Sequence, residues 1–139
     1  MRTAVLMILL TIACSGASAA WVVAVDHETD TSYVDRDSIR KTGKTMKMWV
    51  MRDFKRPKLV AGASVLSAKA LYEFNCDDPQ LRTLDWTEYS GNMGSGKVLR
   101  TGYGPEEWRA VRPDSTGDFL WWFPCKGRSL KDRATDIFK

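Results

Sequence analysis

The sequence predicts an α+β domain: about six β-strands and one short C-terminal helix, packed on one face of the sheet and tied to it by a disulfide. Three observations predict it. Short runs rich in β-branched and aromatic residues recur between clusters of Gly, Pro, Asp, Asn and Ser. A single stretch near the C-terminus carries helix start and stop signals. Cys76 and Cys125 stand at the end of the clearest strand and at the end of that helix.

The 139-residue chain opens with Met1-Arg2-Thr3, then an apolar run over residues 4–13 broken only by Thr11, then small residues ending in Ala17-Ser18-Ala19. A positive start, an apolar stretch of about ten residues and an A-x-A site are the parts of a secretory signal peptide, cleaved here after Ala19. The run is too short to span a bilayer, which takes about 20 residues. Leu10-Thr11-Ile12-Ala13-Cys14 competes with that site, since it resembles a lipobox in which Cys14 would be lipidated. Thr11 stands where such motifs carry Leu, so the soluble product is the favoured expectation. Residues 1–19 are thus expected to be a signal peptide, residues 20–125 a domain, and residues 126–139 a charged mobile tail. The expected location is the periplasm or the outer cell surface. A domain of this length buries about two-thirds of its unfolded surface.

Residues 21–25 are apolar and β-branched, ended by Asp26, His27 and Glu28, and predict the first strand. Residues 31–34 predict a second, turned by Asp35, Arg36, Asp37 and Ser38. In residues 44–54, Met46, Met48, Val50 and Phe54 alternate with Lys47, Trp49, Met51 and Asp53, a third strand with both faces partly covered. Residues 56–62 read as a loop. Residues 64–76 carry the clearest alternation: Leu66, Ala68, Ala70, Tyr72, Phe74 and Cys76 share one face, and Ser67, Lys69, Glu73 and Asn75 the other. Asp77-Asp78-Pro79 turns the chain into a fifth strand over residues 81–89; a glycine-rich connection follows, then a sixth strand over 98–103.

Ser115 is a good helix N-cap with Asp118 in the first turn, residues 119–123 are apolar, and Pro124 is expected to stop the helix. A helix this short does not persist alone in water. Two cysteines in an oxidising compartment most simply pair, and a Cys76–Cys125 bridge pins the helix to the apolar face of the fourth strand. Closing a loop of roughly 50 residues stabilises the fold by about 4 kcal/mol. A metal site needs further ligands, and His27 is the lone histidine.

Residues 20–125 hold 15 basic and 15 acidic residues, but the charges are segregated. Nine cations fall within residues 36–58 against Asp37 and Asp53. Of these, Lys47, Arg52, Lys55, Arg56 and Lys58 form the candidate binding surface, suited to a protein or an anionic polymer and not to a specific nucleic acid. The competing account is a solvated strand edge whose lysines discourage edge pairing. Six tryptophans (Trp21, Trp49, Trp86, Trp108, Trp121, Trp122) mainly build the core, although Trp121 and Trp122 point about 100° apart on a helix.

Enzymatic motifs are weak. Gly91 to Lys97 matches seven positions of a phosphate-binding loop, but Val98 stands where a hydroxyl is needed and a strand follows where a helix is needed. His27 lies in a polar turn, and the pairs Asp77-Asp78 and Glu106-Glu107 are adjacent, so they do not face each other across a cleft. The expectation is no catalytic residue, no cofactor and no metal.

The ordered series Tyr33-Val34-Asp35, Ser38-Ile39-Arg40, Met48-Trp49-Val50, Ser67 through Cys76, Tyr89-Ser90, Met93 through Val98, Trp108, Val111 through Ser115 and Cys125 resembles the bacterial surface-adhesin protein E family. The likeness covers about residues 21–125. It implies a six-stranded antiparallel sheet with a C-terminal helix held on its concave side by a disulfide. It also implies adhesion to host matrix and serum proteins, with dimerisation; separately, no other segment of the sequence is apolar enough to span a membrane. The alternative expectation is a periplasmic structural or assembly module.

Overall fold

The structure is a computed structural model that describes residues 19–127, so residues 1–18 of the expected signal peptide, including Cys14, and the tail beyond Gly127 lie outside the described residues. One antiparallel sheet runs through β1 (Trp21–Asp26), β2 (Asp30–Asp35), β4 (Thr45–Val60), β5 (Ala63–Asn75), β6 (Gln80–Tyr89) and β7 (Val98–Tyr103) in that order. Two short strands complete it: β3 (Arg40–Thr42) on β4 and β8 (Arg109–Ala110) on β6. β2 and β3 lie end to end along one edge of β4, joined through a 3-10 turn at Arg36–Ser38. β7 and β8 do the same along β6. The main path has the six strands expected, and the two additions are too short to leave a periodic signal.

The helix α1 (Thr116–Lys126) lies across one face. Its Leu120, Trp121 and Phe123 close over Ala24, Val25, Val34, Met48, Val50, Phe74 and Leu81. On β4 the core residues Met48 and Val50 alternate, so the pleat delivers them to one side, while the bulge between Val23 and Val25 lets the adjacent Ala24 and Val25 both enter the core. Trp121 donates its indole N–H to the Asn75 carbonyl at 2.8 Å, next to the Cys76–Cys125 disulfide with its Cα atoms 5.3 Å apart. The bridge is the one expected. Ser115 caps the helix, its hydroxyl accepting from the Asp118 N–H at 3.2 Å.

Two boundaries differ from expectation. Pro124 does not stop the helix; it sits inside the last turn, and the helix ends on Lys126 with Gly127 left-handed behind it. So close to the end, proline removes a single ladder bond, while Cys125 holds the turn in place. Residues 56–60 are not a loop. They continue β4, and Lys58, Leu59 and Val60 pair with Val65, Ser64 and Ala63 around a tight turn in which Ala61 and Gly62 both have positive φ. Pro57 is tolerated because the ladder shifts register between Asp53 and Lys58, leaving no donor required there.

The opposite face is also covered. Ser67, expected on a polar face, is fully buried, with Val65 and Met51 beside it. The connection at residues 90–97 folds back over them: Ser67 Oγ donates to the Gly91 carbonyl at 2.6 Å and accepts from the Gly94 N–H at 2.9 Å. The Asp53 carboxylate accepts from the Met93 N–H at 2.7 Å and from Asn92 at 3.1 Å. This segment is therefore a structural flap. Its glycines let the backbone reach the sheet; Gly94 has φ +73° and packs against Met51.

Candidate functional site

On the helix-bearing face, alternation places Asp30, Ser32 and Val34 of β2 on the same side as Val50, Arg52 and Phe54 of β4. Arg52 Nε donates to Asp30 Oδ2 at 2.8 Å, and Asp30 is only 3 % exposed. The Arg52 guanidinium and the Lys58 ammonium both approach the Phe54 ring, at 5.4 and 5.6 Å from its centre. The hydrogen bond from Arg52 holds the Asp30 carboxyl below its usual range despite burial. On the other face, burial pushes Glu73 upward, but hydrogen bonds from Thr45 and Arg82 together outweigh it and leave Glu73 lowered.

Both carboxyls are thus more acidic folded than unfolded. Their contribution is fully present above the unfolded value of about 4 and is lost as pH falls through the lower folded-state range. The melting temperature is expected to hold level between pH 7 and 5 and to fall steeply below pH 4. Asp30→Asn is expected to make that fall shallower; calorimetry at pH 3 and pH 6 checks it.

A cleft opens between this face and the start of α1, with a volume of about 630 Å³. Val50, Leu81 and Leu120 form its apolar floor, and Arg52, Tyr72, Arg109 and Arg112 add polar groups. β8 brings Arg109 to the rim by pairing with Leu81 of β6, and the Val111 N–H bonds to the Pro79 carbonyl at 2.9 Å. Arg112 is held by its carbonyl, which accepts from the Ser115 N–H at 3.2 Å and the Ser115 hydroxyl at 2.6 Å. Gly117 allows the helix to approach the sheet; a Cβ there would meet Leu81 at 3.1 Å. Burial pushes the Tyr72 hydroxyl above the ordinary phenol range, opposed by Arg109 and Arg52, so it is a neutral donor at pH 7.

The five basic candidates do not share one surface. Arg52 faces the helix side and is committed to Asp30. Lys47 lies opposite Glu73 on β5, next to Arg40 on β3, on the other side of the sheet. Lys55, Arg56 and Lys58 are exposed on the extension of β4 beyond its pairing with β2, where β4 and β5 pair only with each other. That extension is a two-stranded arm, with Leu59 76 % exposed near its tip. Lys55 reaches Asp26 at 2.8 Å, a surface pair that solvent screens.

His27 Nε2 lies 3.0 Å from the Thr116 hydroxyl, so this turn histidine is fastened to the helix start. The tryptophans divide. Trp121 is core, whereas Trp49 stacks under Lys69 at 4.4 Å and Trp108 under Arg82 at 4.4 Å, both half-buried. Trp122 is half-buried and donates to Asp118 at 3.2 Å. Trp86 covers Gly102, which leaves no room for a Cβ. Among the described residues no three His, Cys, Asp or Glu side chains gather to hold a metal, and no helix is long and apolar enough to cross a membrane. The cleft had no sequence signature: its arginines come from β4, β8 and the turn before α1.

A family model described as Surface-adhesin protein E matches residues 21–126. Among solved structures, the fold is similar to that of protein E from Haemophilus influenzae, with a TM-score of 0.60 at 15 % identity, covering 79 % of this chain and 86 % of that one. Its selenomethionine form aligns with a TM-score of 0.62 at 15 % identity, covering 82 % and 92 %. Protein E from a non-typeable strain of that species gives 0.60 at 14 % identity, covering 81 % and 79 %. At these identities the likeness is one of fold. No curated protein matches the sequence.

Proposed function

The chain belongs to the Surface-adhesin protein E family, and from that membership we propose that it is an exported, non-enzymatic binding protein of the bacterial cell surface. Its ligand is a host matrix or serum protein, or an anionic polymer, met by the β4–β5 arm. The exposed arm is the observation that carries the reading: Lys55, Arg56 and Lys58 stand close to the exposed Leu59 with no acidic residue between 54 and 72. A protruding hairpin offers cations and an apolar tip to a flat partner with little change to the sheet behind it.

Charge reversal at Lys55, Arg56 and Lys58 together is expected to weaken binding to immobilised heparin or matrix protein about tenfold, since rim charges contribute roughly 0.5 kcal/mol each. Unchanged binding would discard the arm as the contact surface. Arg52 belongs outside this set, because it faces the helix side and its partner Asp30 is buried, whereas the Lys55–Asp26 pair is exposed to solvent.

A second reading follows from the Ala17-Ser18-Ala19 site and the weak lipobox: a soluble periplasmic module with a structural or assembly role. Labelling intact and lysed cells with an antibody to residues 20–139 separates the two. Labelling of intact cells supports the adhesin; signal only after lysis supports the periplasmic module. An intact mass showing diacylated Cys14 would also count against the latter. A homodimer is part of the adhesin reading, supported by β1, an edge strand whose Val22 and Val23 are 40 % and 49 % exposed.

A further inference from the structure

We propose that the cleft between the sheet and the start of α1 is a binding site for a carboxylate carried on an apolar body. The site lies away from the basic arm, and the inference does not rest on the adhesin reading.

The polar groups there are unevenly matched. Arg52 is occupied by Asp30 and acts as a fixed wall. Arg109 has only a distant partner, Glu106 at 3.9 Å, and both are more than half exposed. Arg112 makes no ion pair among the described residues. Tyr72 adds its hydroxyl to the lining. The first-turn N–H groups of Thr116 and Gly117 have no protein acceptor among the described residues. Donors from three chain segments thus line one cleft, and no Asp or Glu is among its lining residues. An anion is the complement of such a set, and paired guanidinium donors suit a planar carboxylate.

The floor excludes a bare anion as the natural occupant. Val50, Leu81 and Leu120 give an apolar bed, and about 630 Å³ is the size of a small-ligand pocket. Burying a branched or aromatic group there adds affinity that a free inorganic anion lacks. Two sources present this chemistry: the C-terminal residue of a peptide with an apolar side chain, and a short fatty acid.

The test is isothermal titration of the disulfide-intact protein, residues 20–139, with four probes. These are an acetylated Ala-Ala-Leu peptide with a free carboxylate, the same peptide amidated, decanoate, and inorganic phosphate. Amide shifts at Thr116 and Gly117 locate the contact. Binding by the free-acid peptide that falls at least tenfold on amidation assigns a peptide end; binding by decanoate alone assigns a lipid-derived acid, and either supports the site. Arg112→Glu and Arg109→Glu, both exposed, are expected to weaken binding about tenfold each, and Ala110→Trp to block it by filling the rim. Charge reversal in the arm leaves it unchanged. No binding by either carboxylate, equal binding of phosphate, or insensitivity to Arg112→Glu overturns the proposal.

Discussion

Replacing Cys76 by serine is expected to lower the melting temperature by about 15 °C. The two cysteines are 49 residues apart, and closing a loop of that length removes about 4 kcal/mol of chain entropy from the unfolded state. In a domain of this size 1 kcal/mol is worth roughly 4 °C at the midpoint. The effect is concentrated at one place. α1 has 11 residues, too few to hold its shape in water, and its Leu120, Trp121 and Phe123 belong to the same core cluster as Met48, Val50 and Phe74. Without the bridge the helix is held by packing alone, so its amides are expected to lose hydrogen-exchange protection before those of β4 and β5. Melting curves with and without reductant provide the measurement, and identical curves would show that the bridge adds no stability.

Trp121→Ala is expected to destabilise the domain by about 3–5 kcal/mol, comparable to the disulfide. Trp121 is 6 % exposed, fills the space between helix and sheet, and satisfies the Asn75 carbonyl one residue before Cys76. Alanine leaves a cavity and a carbonyl without its partner. Trp121→Phe keeps most of the apolar contact and loses the hydrogen bond, so a loss of about 1 kcal/mol beyond the volume change is expected. Trp121 and the disulfide anchor the same helix to the same strand end. Their losses are therefore expected to be less than additive in the double variant, because once the helix has detached the second change has little left to remove. Urea denaturation of the four members of that cycle measures the coupling.

Most of the fold was legible because it rests on periodicity. The alternation from Leu66 to Cys76 placed Phe74 and Cys76 on the side where the helix lands, and Ser115 marked the helix start. Where expectation and structure part, a long-range contact overrides a local signal. Pro57 reads as a loop residue until a register shift makes its missing N–H harmless. Ser67 reads as a surface residue until the flap at residues 90–97 covers it and supplies both hydrogen-bond partners.

Pattern alone established the export signal as an expectation, the strand series, the helix start and the pairing of Cys76 with Cys125. Each of these depends on neighbours in the chain or on a count of cysteines. The partners of the charges were decided only in three dimensions. Arg52 belonged by composition to a basic ribbon, yet the pleat turns it to the helix side, where Asp30, 22 residues away, holds it. Arg109 and Arg112 had no signature at all, because the cleft exists only where β8 joins β6 and the helix crosses the sheet. A charge run records how many cations are present; which of them remain available to a ligand depends on the acids that folding brings beside them.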